Sequence, residues 1–292
     1  MANFVIYTYE FTPIIEADGE NLFPDMEKVD VQYNMEHKLE ILAGLISDET
    51  SFEMSGSKYG HKILIKKDGV IGMRIANNKH ISYEHKFKEH EMENNPSCVV
   101  LIDLHENRQK IAIQRKPISF SNPVTVAKIL AETLNRLLRP YRLHVDIRPN
   151  FYTSQFWSYV EEHLHELKYI QFTFPYPNMA AVADLVGDFY TQVAIETNSE
   201  PSMVLNTPPD QMLKIVRGNP IVENSLKACA ASGQDIFFGL KGTTRKVRCN
   251  VNAAVVETLA DNLLKELDST DLFDTRLGIV KDFLNRLKLY YE

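Results

Sequence analysis

Apolar positions along this chain recur with two periods, close to 2 and close to 3.6, and the switches between them mark out the elements. Cys98-Val-Val-Leu-Ile-Asp103 is a nearly continuous apolar run, and Lys110-Ile-Ala-Ile-Gln-Arg115 alternates apolar with polar. Together they predict a hairpin with a buried first strand, closed by the polar connection 104–109. The hairpin is expected to bring Asp103 beside Gln114, Arg115 and Lys116. A helix follows, with Ser121 or Asn122 as cap, Pro123 in the first turn, and Val126, Ile129, Leu130, Thr133, Leu134 and Leu137 in one stripe. Pro140 stops it, and residues 142–148 alternate as a strand with Leu143, Val145 and Ile147 inward.

The β-branched and aromatic residues from Asn3 to Phe11 predict an opening strand. The acidic, proline-containing stretch 14–33 reads as a surface loop, and Leu39, Ile41, Leu42, Leu45 and Ile46 mark a helix. Residues 60–76 predict a hairpin about Lys67-Asp68-Gly69, because Asp-Gly supplies the positive φ values of such a turn. The charged stretch 83–94 reads as a short helix. Beyond residue 150 the pattern predicts a helix over 153–167, a strand over 169–175, a helix over 179–197 and a strand over 202–206. A helix capped at Asn219-Pro220 then runs to Gly233, followed by a hairpin over 235–252 and helices over 254–267 and 272–289. The class is α+β: antiparallel or mixed sheets with hairpins packed against long amphipathic helices, in two halves, a strand-rich 1–150 and a second α+β half, 151–292.

A composition of 44% hydrophobic and 24% charged residues is that of a globular protein. No apolar run reaches the roughly 18 residues of a membrane span, and the N-terminus has no basic region ahead of an apolar one. No membrane insertion and a cytoplasmic location are the expectation. Cys98, Cys229 and Cys249 are too scattered for a CxxC pair and are expected to pack in cores. The net charge of -7 argues against a generic polyanion binder, yet it is unevenly spread: residues 51–150 carry +7 and 201–250 carry +4, whereas 1–50 carry -9.

Two basic zones follow from that spread. The first includes Lys62, Lys66 and Lys67, with Arg74, Lys79, Lys86 and Lys88 nearby and Lys110, Lys116 and Arg148 further on. The second puts Lys241, Arg245, Lys246 and Arg248 into eight residues beside Gly239 and Gly242. A basic hairpin can track a phosphate backbone without reading bases, and the glycines would let the backbone approach closely. The bland alternative is an ordinary exposed turn. His80, His85 and His90, five apart, spread around a helix and do not converge as metal ligands, and His163 and His165 fail in the same way. Asp103 with Gln114 and Lys116 is similar to the acidic residue and polar-x-Lys triplet of Mg²⁺-dependent nucleases, although Gln stands where a carboxylate is usual. A protein-binding adaptor or inhibitor acting through the acidic N-terminal segment is a third reading. No catalytic residue, metal ligand or cofactor is assigned.

The order of elements from Tyr59 to Leu130 resembles that of the RexA family of phage-exclusion proteins. The likeness lies in the hairpin Tyr59-Gly-His-Lys-Ile-Leu-Ile-Lys-Lys-Asp-Gly, the step Asn77-Asn-Lys79 and the strand Pro96-Ser-Cys-Val-Val. It is organisational and carries no functional residue across. The resemblance implies an intracellular DNA-binding sensor or effector in phage defence or a mobile element, homo-oligomeric and acting with a partner protein from the same operon.

Overall fold

The computed structural model describes residues 1–15, 29–208, 211–249, 254–269 and 272–292. Its central element is the first strand, β1 (Ala2–Pro13). One edge of β1 pairs antiparallel with the C-terminal strand at Ala2–Val5 and with a strand over 143–149 at Tyr7–Pro13, while Phe4–Thr8 pairs with the strand over 110–114 along the other edge. Such a strand must be buried on both faces. Val5, Tyr7, Tyr9 and Phe11 enter one core, and Phe4 and Ile6 enter another on the opposite face. On that second face apolar gives way to polar at Thr8 and Glu10, which are nonetheless buried.

The first sheet is completed by β2 (Phe52–Met54), β3 (Ser57–Lys67), β4 (Val70–Ala76), β7 (Ser97–Asp103), β8 (Lys110–Gln114), β9 (Leu143–Pro149) and β14 (Val256–Leu259). Its order is β14-β1-β8-β7-β4-β3-β2, with β9 also on β1. Asp68 and Gly69, at φ +51° and +73°, make the expected turn between β3 and β4. On one face lie α1 (Val31–Glu36), α2 (Lys38–Leu45) and α3 (Pro123–Leu138), the last capped by the Asn122 side chain. The other face is covered by α8 (Asp261–Ser269) and α9 (Phe273–Asn285). The chain therefore returns after residue 254 to close the sheet it opened.

The second sheet has the order β11-β10-β12-β13, formed by β10 (Leu167–Thr173), β11 (Ser202–Asn206), β12 (Ile236–Leu240) and β13 (Val247–Arg248). Ile170, Phe172, Ile236 and Phe238 face a core with Phe156 and Val160 of α4 (Thr153–Glu162) and Leu226 and Cys229 of α7 (Pro220–Ser232). Asn219 caps α7 as expected. Helices and antiparallel sheets thus combine in an α+β fold. Among the described residues no helix is long and apolar enough to cross a membrane.

Three expectations fail locally. Residues 83–94 are not helical but belong to a separate hairpin, β5 (Lys79–His85) and β6 (Lys88–Asn94), turning at Lys86 and Phe87 with φ +52° and +64°. Alternating charged side chains leave such a stretch without a helical apolar stripe, and strand pairing satisfies its backbone instead. The helix over 179–197 is two, α5 (Ala180–Val186) and α6 (Asp188–Thr197), broken where Gly187 takes φ +89°. Residues 254–267 begin as strand β14 because the free edge of β1 accepts it. Of the expected loop 14–33, residues 16–28 lie outside those described and 31–33 open helix α1, while the end of the 235–252 hairpin also lies outside the described residues.

Candidate functional site

Register decides the fate of the nuclease constellation. Val100 pairs with Ile113 and Ile102 with Ile111, so Asp103 ends its strand at the loop while Gln114 and Lys116 lie at the far end of the hairpin. The separation is four residues beyond Lys110, roughly 13 Å at about 3.3 Å per residue. An antiparallel hairpin brings Asp103 beside Lys110, and the expected neighbourhood of Asp103 with Gln114, Arg115 and Lys116 is corrected accordingly. Asp103, Gln114 and Lys116 are each otherwise occupied. The buried Asp103 carboxylate accepts from the His105 backbone N–H at 3.0 Å, lies 2.5 Å from His105 Nδ1 and pairs with Arg108 Nε at 2.9 Å. Gln114 Oε1 accepts from the Val99 N–H at 3.0 Å, and Lys116 Nζ donates to the Ser97 carbonyl at 2.8 Å. These residues lock a hairpin and do not converge on a metal.

The polar stretch of β1 forms a buried junction between the two sheets. Lys110, opposite Thr8, is 1% exposed, and its Nζ donates within 2.7–3.1 Å of Thr8 Oγ1, Asn150 Oδ1 and the carbonyls of Ala231 and Leu289. Asn150 Nδ2 donates to the Ala230 and Ala231 carbonyls at 2.8 and 2.9 Å. These carbonyls belong to the last turn of α7, which has no intrahelical donors for them and whose dipole favours a cation there. Burial pushes the Lys110 amine down to about 7, opposed by the Glu10 carboxylate. Burial also raises Glu10 well above the carboxylate range, against the pull of Arg148. Lys110, which the sequence places in the first basic zone, is a buried structural pin.

Between pH ~7 and ~10.5 the unfolded chain holds the Lys110 proton and the folded chain does not, so this group makes stability rise with pH there. Glu10 works in the opposite sense, lowering stability as pH rises from ~4.5 toward its raised folded value. Urea midpoints from pH 7 upward should therefore climb for the wild type relative to Lys110→Ala, and parallel curves would contradict the assignment.

The first basic zone is divided by the sheet. Strand alternation turns the neighbouring Lys66 and Lys67 to opposite faces. Lys66 Nζ donates to the Ile46 carbonyl at 2.8 Å on the α2 side, whereas Lys67 Nζ stands 5.2 Å from the Phe273 ring beside α9. Lys62 is exposed opposite Arg74, whose guanidinium is held by Asp268. Arg148 is engaged by Asp146 and Glu200. The histidines 80, 85 and 90 fall on the β5–β6 hairpin. Among the described residues no group of three His, Cys, Asp or Glu is placed to hold a metal. Cys98 and Cys229 are buried and Cys249 is partly so, each thiol pushed up by burial.

The second zone stays together. Lys241, Arg245 and Lys246 are all exposed on the turn that joins β12 to the short edge strand β13. Arg248 is paired with Asp235, and Lys246 Nζ lies 3.1 Å from Gln171 Oε1. Lys241 also borders a cleft of about 590 Å³ with Lys168 and His165. Gly242, at φ +81°, has open space beside it, as expected of a turn glycine. Gly239 is different: a Cβ there would lie 2.1 Å from the Tyr169 ring, so this glycine serves the ring that covers it and not an approaching ligand. No protein-family model, curated protein or solved structure matches the chain.

Proposed function

We propose that this protein binds the phosphate backbone of DNA through the turn and edge of its second sheet, without catalysis of its own. The observation that carries the reading is the joint exposure of Lys241, Arg245 and Lys246 on one turn, with Lys168 and His165 on the adjoining cleft. A concentration of cations on one projecting turn offsets the unfavourable net charge of the whole chain, because interactions beyond about 8 Å are screened at physiological salt. The resemblance to the RexA family supports a cytoplasmic role in phage defence or a mobile element, as a homo-oligomer acting with a partner protein. Lys62, Lys66 and Lys67 stand as a second, weaker contact, since two of them are engaged within the protein. Fluorescence anisotropy with labelled oligonucleotides at low salt tests the reading. Binding that is equal in EDTA and in Mg²⁺, with the DNA left intact, is the expected result, and no binding at low salt would overturn it.

A further inference from the structure

We infer that the open face of the second sheet is a platform for single-stranded nucleic acid, on which unpaired bases stack against Tyr169 and Phe237. The inference rests on the backbone-binding reading above and narrows it to one form of ligand. Strand alternation sends Ile170 and Phe172 of β10, and Ile236 and Phe238 of β12, into the core beneath. The residues between them point to the other side, where Ser202, Val204 and Asn206 of β11 are exposed and Tyr169, Gln171 and Phe237 are half-buried. Two aromatic rings thus stand on the two central strands of a four-stranded sheet whose outer face no described helix covers. An apolar ring on such a face normally packs beneath another element, and here the surrounding chemistry says what takes its place.

That chemistry is cationic. Lys246 Nζ stands 6.0 Å from the Phe237 ring centroid and hydrogen-bonds Gln171, while Lys168 and Lys241 border the end of the face nearest Tyr169. A strand crossing the face would meet ammonium groups at the phosphates and ring faces at the bases, the combination that holds single strands without regard to sequence. Register adds a geometric reason. Phe237 pairs with Gln171 and Gly239 with Tyr169, so Tyr169 and Phe237 are diagonal neighbours whose backbones lie about 7–8 Å apart. The rise per nucleotide in a stacked duplex strand is about 3.4 Å, so bases meeting both rings must be splayed apart. A duplex presents no such faces.

The test is anisotropy with oligo-dT, oligo-U and a duplex of equal length. It compares the wild type with Tyr169→Leu/Phe237→Leu, which keeps apolar volume but removes both ring faces, and far-UV circular dichroism confirms its fold. Single strands should bind at least about tenfold tighter than duplex, and the leucine variant should lose about tenfold per ring on single strands with duplex binding unchanged. Equal binding of duplex and single strand, or a leucine variant unchanged on single strands, overturns the platform and leaves the backbone reading intact. A wild-type dimer that dissociates in the leucine variant shows a second copy on the face and likewise overturns it. No binding of any oligonucleotide at low salt removes both readings.

Discussion

Lys110→Ala should destabilise the protein by about 3–5 kcal/mol, the largest effect of any single substitution considered. Part of the loss is the cavity left by a fully buried four-carbon stem. The rest comes from the acceptors. Thr8 Oγ1, Asn150 Oδ1 and the Ala231 carbonyl keep other partners, whereas the Leu289 carbonyl accepts only from Lys110 among the hydrogen bonds described. That carbonyl is partly buried, so losing its donor costs toward the low end of the about 1–3 kcal/mol of an orphaned buried acceptor. Below pH ~7, where the amine is protonated, the last turn of α7 also loses a cation at its dipole end. Urea unfolding at pH 7 measures the sum, and a loss under about 1 kcal/mol would mean that the junction between the sheets does not depend on this amine.

Arg245→Glu with Lys246→Glu should weaken DNA binding on the order of 100-fold at low salt while changing stability by no more than about 0.5 kcal/mol. Both residues are exposed on the turn, and among the described residues Lys246 has side-chain partners in Gln171 and the Phe237 ring. Reversal replaces attraction to a phosphate by repulsion, so its effect exceeds that of truncation. Anisotropy and urea unfolding on the same preparation separate the two quantities. Unchanged affinity would move the contact to the first zone around Lys62, or remove the DNA reading.

The strands and helices whose burial is decided by near neighbours were legible in the sequence: the Asp-Gly hairpin, the Asn122 and Asn219 caps, the stripe of α3 and the alternation of β9. What was not legible depended on which distant segment arrives. Lys110 begins an alternating strand and looks like an exposed cation until α7 and the C-terminal tail close over it. The helix predicted over 254–267 loses its first residues to the open edge of β1, a partner more than 250 positions away. Antiparallel pairing alone sets Asp103 against Lys110, so its distance from Gln114 and Lys116 is implicit in the hairpin. The one early signal of the junction lay in β1, where Thr8 and Glu10 interrupt an apolar run on a strand buried on both faces. The basic turn 241–246 was legible because its exposure needs no partner. The aromatic face beside it was not, because Tyr169 and Phe237 meet only once β10 and β12 pair.

Phosphate binding by a compact cationic surface on the second sheet should show in the salt dependence of oligonucleotide affinity. For the wild type the logarithm of the association constant should fall linearly with the logarithm of salt concentration. For Arg245→Glu/Lys246→Glu the slope should be shallower by about 2, one counterion for each lost contact. An affinity independent of salt, or the same slope in both proteins, would contradict the claim.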